Sequence, residues 1–226
     1  MHTNIIILLN NAGKKFGREW VFRNVTLEIK PQDKLVILGL NGSGKSTLLQ
    51  ALTGYLTLNE GELKFDITNT QTKQNPNASD FYYKQISLAS PYLELLEDFT
   101  LKEMIAHTQV YKPFINNLSV NEIVELSGLS AHQHKYIKLF SSGMKQRLKL
   151  TLAILADVPI LLLDEPTTNL DATVVKWYQE LIETYTKNKT VIVCSNSIKD
   201  EYAFCTKTIV MEDFKNKKAQ NKHFIS

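Results

Sequence analysis

The feature that most constrains this chain is a short segment, residues 39–47, which matches the pattern G-x-x-x-x-G-K-[ST]. This pattern is typical of a loop that wraps around phosphate groups. An apolar run at residues 35–38 predicts a buried strand before the loop, and helix-compatible residues follow at positions 46–52. In such an arrangement, backbone N–H groups and the positive end of the helix dipole face an anion. Each residue of the loop is therefore a candidate for binding the phosphates of a nucleotide: Gly39, Leu40, Asn41, Gly42, Ser43, Gly44, Lys45, Ser46 and Thr47.

Two residues of the loop have predicted roles of their own. Lys45 is expected to reach the β- and γ-phosphates of a nucleoside triphosphate, and the Ser46 hydroxyl is expected to hold Mg²⁺. A turn rich in glycine and serine can also be no more than a flexible connection. The strand and the helix predicted on either side of this one favour the phosphate-binding interpretation.

A second candidate element lies at residues 160–165, where a continuous apolar run ends in Asp164 and Glu165. Such a run predicts a central strand of a parallel sheet, and ligands bind at the carboxyl edge of such sheets. Asp164 is therefore expected to hold Mg²⁺, directly or through water, and Glu165 to polarise an attacking water. On its own the acidic pair could simply cap the following turn, but the upstream phosphate loop favours a nucleotide site.

Length, charge and cysteine content exclude several classes of protein. A chain of 226 residues can bury a sizeable core in one or two domains, and a net charge of +3 is too small to indicate nucleic-acid binding. No apolar run approaches the roughly 18 residues of a membrane-spanning helix. Residues 5–9 are too short for a secretory signal and predict a strand. Cys194 and Cys205 lack metal-site spacing, Cys194 is expected to be a buried thiol, and a cytosolic location is expected.

Periodicity and turn residues predict the order of the remaining elements. Further strands are predicted at residues 25–29, 62–67, 81–89, 190–194 and 208–211. Helices are predicted at residues 100–110, from a capping box at Ser119 to Gly128, and at residues 141–155 and 174–185. The polar residues 69–80 are expected to form an exposed loop. The Lys-rich residues 215–222 are expected to be a solvated tail, with contact to anionic lipid headgroups as the alternative.

Four motifs occur in the order and spacing of ABC ATPase domains, which the chain resembles over nearly its whole length. They are the phosphate loop, Ser141-Ser142-Gly143, Asp164-Glu165-Pro166 and Asn169-Leu170-Asp171. The resemblance implies an α/β fold: a P-loop NTPase with a RecA-like core, an antiparallel β subdomain and an inserted helical subdomain. In one domain spanning residues 1–226, the core with its β subdomain would comprise residues 1–90 and 146–226, and the helical subdomain residues 91–145. The resemblance also implies a dimer with two ATP molecules and Mg²⁺ between its subunits.

The same resemblance gives roles to residues outside the phosphate loop and the acidic motif at Asp164 and Glu165. Ser141, Ser142 and Gly143 stand in the place of the family signature, usually Leu-Ser-Gly-Gly-Gln, and are expected to bind the γ-phosphate held by the partner subunit. A serine hydroxyl and helix N-terminal amides suit a phosphate, although Ser141 is expected to be an ordinary N-cap in either case. Asn169-Leu170-Asp171 resembles the loop that crosses the dimer interface. Phe16 stands in the place of the aromatic residue that stacks on adenine, with core packing as the alternative.

Two positions depart from the family pattern. The glutamine usually found between the core and the helical subdomain falls at about Pro91, and Gln85 is too far upstream to replace it. The histidine that usually contacts the γ-phosphate is replaced by Asn196. An asparagine can donate an amide hydrogen bond but carries neither a proton nor a positive charge at neutral pH. We therefore expect ATP binding to be intact. We expect ATP hydrolysis, in which Asn196 would take part, to be slow or to depend on a partner.

The resemblance implies an energy-coupling ATPase subunit of an ABC transporter at the inner face of the cell membrane. One phosphate loop and no membrane span imply a separate membrane permease and a second nucleotide-binding subunit, such as a copy of this chain. No direct nucleic-acid contact is expected, although a soluble switch acting on ribosomes or DNA and an ATP-binding scaffold with weak hydrolysis are alternatives. Five residues of the helical region either face the permease or pack within their own subdomain: Tyr92, Leu95, Leu96, Phe99 and Tyr111.

Overall fold

The computed structural model describes residues 4–68 and 84–215, which form two sheets and the helices packed around them. The strands are β1 (Asn4–Phe16), β2 (Glu19–Ile29), β3 (Lys34–Leu38), β4 (Glu60–Thr68), β5 (Ile86–Ala89), β6 (Ile160–Asp164), β7 (Thr190–Ser195) and β8 (Lys207–Val210). The helices are α1 (Lys45–Leu52), α2 (Leu101–Tyr111), α3 (Val120–Leu126), α4 (Ser142–Leu155), α5 (Ala172–Tyr185) and α6 (Lys199–Tyr202). Short 3-10 turns lie at Ile115–Asn117, Ser130–His132, Ile137–Leu139 and Met211–Phe214.

A parallel sheet with the strand order β5-β6-β7-β3-β8 forms the centre of the fold. Every residue of β6 and β7 is buried, because helices and the second sheet cover both faces. The apolar run at residues 160–163 therefore forms an interior strand, as predicted. Since β3, β6 and β7 run in the same direction, their carboxyl ends meet at one edge of the sheet. That edge carries the candidate site.

The second sheet is antiparallel and has the strand order β2-β1-β4. Alternate residues of β1, namely Ile5, Ile7 and Leu9, point into the core, as the period of a half-buried strand requires. They share a hydrophobic cluster with apolar residues of α1 and of the parallel sheet. The helices α2 to α5 contribute to a second cluster that includes Leu161 and Val193. The two clusters together confirm the predicted α/β core with an added antiparallel sheet.

The predicted helix starts and stops are confirmed by their capping bonds. Thr100 and Ser119 each accept a hydrogen bond from the backbone N–H three residues on, and the glutamate there bonds back to the capping residue. Gly128 follows α3 with a φ of +62°, a left-handed conformation that stops a helix. Replacing such an N-cap by alanine typically costs about 1 kcal/mol. Local sequence is therefore sufficient to fix these ends.

The strand predicted at residues 81–89 is shorter than expected. It begins at Ile86, and residues 84 and 85 are helical. Among the described strands, β5 lies at the edge of the sheet and pairs with β6 alone, through the partners Ile160 to Leu163. The loop predicted at residues 69–80, residues 81–83 and the tail from residue 216 onward lie outside the described residues. In the described ranges, no helix combines the length and the apolar character that crossing a membrane requires.

Candidate functional site

The phosphate loop connects β3 to α1, and two of its glycines lie so close to other side chains that an added Cβ atom would force a shift. Gly44 has a φ of +100°, and a Cβ atom there would lie 2.5 Å from Cγ1 of Val21. A Cβ atom on Gly39 would lie 2.5 Å from Oγ of Ser43. Because Gly44 is also the residue before α1, it has no side chain with which to cap the helix. The first turn of α1 therefore presents backbone N–H groups and a positive dipole end, as an anion site requires.

Lys45 lies folded over this loop and is only 4% exposed. Its Nζ donates hydrogen bonds to the carbonyl oxygens of Gly39, at 2.8 Å, and Leu40, at 3.1 Å. A third bond, 2.5 Å long, goes to Oδ1 of Asn196. The ammonium also lies 3.9 Å from Oε1 of Glu165. The structure thus brings the predicted phosphate-binding lysine beside two other predicted site residues.

Asn196 stands at the centre of this group. Its Nδ2 donates to Oε1 of Glu165, at 2.9 Å, and to Oδ1 of Asn41, at 2.5 Å. With the bond from Lys45 to its oxygen, the amide of Asn196 connects the loop after β7, the loop after β6 and the phosphate loop. Asn196, which we predict to stand at the position of the family histidine, is therefore in direct contact with the acidic residue that we expect to act on water.

Asp164 has the surroundings of a cation ligand. Its side chain is buried at the end of β6, and Oδ2 accepts a hydrogen bond from Oγ of Ser90 at 3.3 Å. Burial raises the pKa of the Asp164 carboxyl, and a hydrogen bond from Ser46 opposes that shift. Within residues 4–68 and 84–215, Oδ1 of Asp164 is buried and has no hydrogen-bond partner. An unpaired carboxylate oxygen beside the Ser46 hydroxyl is the donor set that Mg²⁺ prefers, so these residues fit the ion.

Glu165 follows Asp164 with a φ of +45°, which is strained for a residue with a side chain. A left-handed conformation costs roughly 1–2 kcal/mol outside glycine. Its N–H donates to the carbonyl of Cys194 at 2.9 Å, which ties the turn to the end of β7. Cys194 itself is a buried, free thiol, as predicted. The turn directs the carboxylate of Glu165 back toward Asn196 and Lys45.

The signature residues lie on a different concave surface, of about 410 Å³. Ser141 is the N-cap of α4, and its Oγ accepts from the N–H of Met144 at 3.2 Å. Ser142 is exposed beside it, and a Cβ atom on Gly143 would lie 2.9 Å from the carbonyl oxygen of Asn169. This surface shares no lining residue with the phosphate loop. Within one chain, the structure therefore does not bring the signature to Lys45.

Phe16 ends β1 and is 56% exposed. Its ring lies 5.2 Å from Nζ of Lys14. Core packing, the alternative to a base-stacking role, is therefore wrong for this residue. An exposed aromatic ring at the edge of a site is available to stack on a base, and that role for Phe16 stays a prediction.

The polar side chain at the end of β5 belongs to Ser90, one position before Pro91. Ser90 bonds to Asp164, whereas the contact that the structure gives Pro91 is through its backbone carbonyl. That carbonyl accepts from Nζ of Lys149 at 2.7 Å, and Lys149 also donates to the carbonyl of Ser90 at 3.3 Å. The residue at the end of β5 that contacts Asp164 is thus a serine, and the assignment of the family glutamine to about Pro91 stays a prediction.

Two acidic residues near the site had no recognisable sequence signal. Oε1 of Glu212 accepts from the N–H of Leu40 at 3.1 Å, and this bond is the main reason why the pKa of Glu212 is lowered. Glu201 is buried behind the loops that carry Glu165 and Asn196. Both residues lie in ordinary polar stretches, so only the folded chain reveals their contacts.

The site and the fold agree with what comparison with known proteins gives. The chain belongs to the ABC transporter family, whose model matches residues 22–168. A sulfate/thiosulfate import ATP-binding protein of Mesostigma viride is 32% identical over 182 residues, which are 77% of this chain and 51% of that protein. An Fe(3+) ions import ATP-binding protein of Photobacterium profundum is 28% identical over 220 residues, which are 94% of this chain and 60% of that protein. The chain thus spans about half the length of the curated relatives it matches.

Solved structures give the same fold. A dimeric ATP-binding cassette, in a post-hydrolysis state bound to ADP and Pi, is 24% identical and has a TM-score of 0.76. The match covers 90% of this chain and 93% of that chain. The predicted P-loop NTPase fold of the ABC type, with its parallel core and added antiparallel sheet, is therefore confirmed.

Proposed function

We propose that this chain is the ATP-binding and ATP-hydrolysing subunit of an ABC transporter and that it drives a separate membrane permease. The observation that carries the proposal is the convergence of three elements at one sheet edge. Lys45 from the phosphate loop, Glu165 from the loop after β6 and Asn196 from the loop after β7 contact one another there. The names of the relatives, which are import ATP-binding proteins, support the same function.

In this proposal, each residue of the site has one task. Lys45 exchanges its bonds to the loop carbonyls for bonds to the β- and γ-phosphates, and α1 adds its N–H groups. Ser46 and the unpaired Oδ1 of Asp164 would hold Mg²⁺, which would supply positive charge beside the phosphates when bound. Glu165 orients and polarises the attacking water, and Asn196 holds the carboxylate of Glu165 in position.

Completion of the site requires a second nucleotide-binding subunit, which we propose to be a copy of this chain. The signature lies on its own surface, away from Lys45, so it can serve only the nucleotide of a partner. Ser141 caps α4 with its hydroxyl, and the helix N-terminus suits a γ-phosphate. The dimeric state of the solved cassette with ADP and Pi supports this pairing.

We propose that the permease binds at the apolar groove between the core and the helical region, with this chain at the cytoplasmic face of the membrane. The groove has a volume of about 610 Å³ and is mostly apolar, and its lining also includes Ser46 and Asp164 of the nucleotide site. Of the five candidate contact residues, Tyr92, Leu96 and Tyr111 are exposed, and Tyr92 is 81% exposed. Leu95 lines the groove and also packs against the hydrophobic cluster, and Phe99 packs against the same cluster. Exposed aromatic side chains of this kind are typical of binding surfaces.

ATP-dependent dimerisation tests the proposal, with light scattering as the measurement. We expect the Glu165→Gln variant to form dimers with MgATP, and the additional change Ser141→Ala to weaken them at least about tenfold. Ser119→Ala is the matched control, because Ser119 also caps a helix through its hydroxyl but lies at α3. Equal dimerisation of the two serine variants would contradict a signature that acts on the partner's nucleotide.

Purification under native conditions separates this function from its alternatives. We expect a detergent-solubilised membrane protein to accompany the chain, and the change Tyr92→Ser to reduce that association. Recovery of ribosomes or nucleic acid instead would favour a soluble switch. ATP-induced dimers that release no phosphate would favour a binding-only scaffold, an alternative that the asparagine at the histidine position motivates.

A further inference from the structure

A buried carboxylate lies directly behind the site, and the roles proposed above do not use it. Glu201 belongs to the short helix α6 and is 0% exposed. Its Oε1 accepts hydrogen bonds from the N–H of Thr167, at 3.1 Å, and from Oγ1 of the same residue, at 2.8 Å. Its Oε2 accepts from Oγ of Ser195. Three donors therefore satisfy one carboxylate inside the protein.

The residues that donate to Glu201 stand next to the two residues that meet in the site. Thr167 follows Glu165 by two positions, and Pro166 between them has a fixed φ. Ser195 immediately precedes Asn196. One carboxylate thus holds both the loop after β6 and the loop after β7.

The loop after β6 needs such support because Glu165 has a left-handed backbone. A conformation of this kind persists only where the surrounding structure holds it. Two further bonds help: Nε2 of Gln146 donates to the carbonyl of Pro166 at 3.0 Å, and the N–H of Glu165 donates to the carbonyl of Cys194 at 2.9 Å. Neither of these bonds involves a side chain of the loop after β7. The side chain of Glu201, by contrast, accepts hydrogen bonds from side chains of both loops.

Burying this carboxylate is unfavourable for the folded state taken alone. Burial raises the pKa of Glu201, while the bonds from Ser195 and Thr167 oppose the shift. Replacing buried charged groups by apolar residues is often neutral or stabilising in proteins. We therefore attribute to the buried carboxylate of Glu201 a role in positioning the two loops rather than in stabilising the fold.

We propose that Glu201 is a positioning residue for ATP hydrolysis, which sets the contact between Asn196 and Glu165 by holding both of their loops. The inference rests on the proposed function, because it concerns the water-activating residue of that reaction. It predicts that a change at Glu201 affects the chemical step and leaves nucleotide binding intact. A displacement of about 1 Å at a reacting group can lower a rate by up to about 100-fold.

The first test compares Glu201→Gln with Tyr178→Phe. The hydroxyl of Tyr178 donates to the backbone carbonyl of Glu201 at 2.8 Å, so its loss weakens the same region without touching the carboxylate. We expect Glu201→Gln to lower kcat for ATP at least about tenfold and to change KM less than about twofold. Tyr178→Phe should lower the stability and leave kcat within about twofold. Equal kcat values for the two variants would overturn the proposal.

A double-mutant cycle covers the case in which Glu201→Gln fails to fold. Ser195→Ala and Thr167→Val each remove one hydroxyl donor and leave the carboxylate in place. Because both act on one group, we expect their joint effect on kcat to be smaller than the product of the separate effects. Independent effects that multiply would overturn the proposal.

A readout without turnover separates this inference from the proposed function. The side-chain amide of Asn196 donates to Glu165, so its NMR resonances report that contact. We expect these resonances, assigned by their loss in Asn196→Ala, to shift in Ser195→Ala and to stay in place in Tyr178→Phe. Unshifted resonances in Ser195→Ala would overturn the role of Glu201 even if ATP hydrolysis is normal. Absence of ATP binding by the wild-type chain would instead refute the proposed function.

Discussion

The phosphate loop and the loop after β7 hold their site residues by different means. In the phosphate loop, the geometry follows from adjacent residues, since Gly44 has a φ of +100° and opens α1 directly. In the loop after β7, Asn196 is held by residues far along the chain, namely Lys45, Glu165 and Asn41. The first arrangement is determined locally, and the second only by the complete fold.

The two strands that lead into these loops are nevertheless anchored alike. Lys34 opens β3, and its Nζ donates to the carbonyls of Thr186, at 2.5 Å, and Lys189, at 2.6 Å. Lys189 precedes β7, and its Nζ donates to the carbonyls of Ile154, at 2.7 Å, and Ala156, at 2.5 Å. The half-buried Lys34 and the buried Lys189 thus bind carbonyls near the ends of α5 and α4, where a positive charge suits the helix dipole. The difference between the two regions lies at the carboxyl ends of the strands.

The largest effect is expected at the contact between the loop after β6 and the loop after β7, which residues far apart in the chain hold in place. Glu165→Gln keeps the shape of the side chain but removes the negative charge that we expect to polarise water. We expect kcat for ATP to fall about 100-fold or more while the dissociation constant of ATP stays within about threefold. Single-turnover phosphate release and calorimetric binding measure the two quantities. Full activity in Glu165→Gln would remove this residue from the proposed chemistry.

The next largest effect is expected in the locally determined loop. Gly44→Ala adds a Cβ atom 2.5 Å from Cγ1 of Val21, so the loop must shift. We expect ATP affinity to fall at least about tenfold. Gly17→Ala is the matched control, because Gly17 has a φ of +57° and its added Cβ atom meets nothing within 4 Å. The Gly17→Ala variant should lose about 1 kcal/mol of stability and keep its affinity for ATP. A similar loss of ATP affinity in both variants would contradict a specific role of Gly44 in the phosphate loop.

A smaller effect is expected when the family histidine is restored. Asn196→His places an imidazole beside Glu165 and Lys45, where it can donate a proton or carry a charge. We expect turnover to rise about threefold, with a new dependence on pH near the histidine pKa of about 6.5. The measurement is the pH profile of kcat for the two proteins. Identical profiles would show that the asparagine does not limit hydrolysis.

The smallest effect on the site itself is expected at the shared anchors, which act on the stability of the fold rather than on the loops. Burial lowers the pKa of Lys189 to about 8 from an ordinary value of 10.5, and the pKa of Lys34 is lowered in the same way. Between about pH 8 and 10.5, the unfolded chain binds more protons at these lysines than the folded chain does. Their contribution to the free energy of unfolding therefore rises with pH across this window.

Urea denaturation at pH 8 and pH 10 measures this contribution. We expect Lys189→Met to reduce the rise in the free energy of unfolding by about 2 kcal/mol. Lys64→Met is the control, because Lys64 is exposed on β4. An equal rise in the Lys189 variant and the wild-type chain would contradict the effect of burial.

The sequence contains the information for the locally determined parts of the molecule. The phosphate loop, the capping boxes at Thr100 and Ser119 and the interior strand β6 were all predictable, since each depends on neighbouring residues. The α/β fold of the ABC type followed from motif order, and the structure confirms it. The roles assigned to individual site residues stay predictions that the variants above test.

The remaining features depend on contacts between distant residues. The short β5 is set by pairing with β6, and no local pattern at residues 81–85 signals its start. Glu201 and Ser90 are common polar residues in the sequence, and they become part of the site only because parallel strands end at one edge. Periodicity and turn chemistry describe single helices, strands and turns, so they do not predict contacts between residues of different elements.

The affinity of the Lys45→Ala variant for ATP tests the central claim most directly. Lys64→Ala serves as the control for loss of a lysine, and circular dichroism establishes that both variants are folded. If a nucleoside triphosphate binds between Lys45 and the acidic end of β6, the dissociation constant of Lys45→Ala should rise at least about tenfold. Undiminished ATP binding by the folded Lys45→Ala variant would contradict the account.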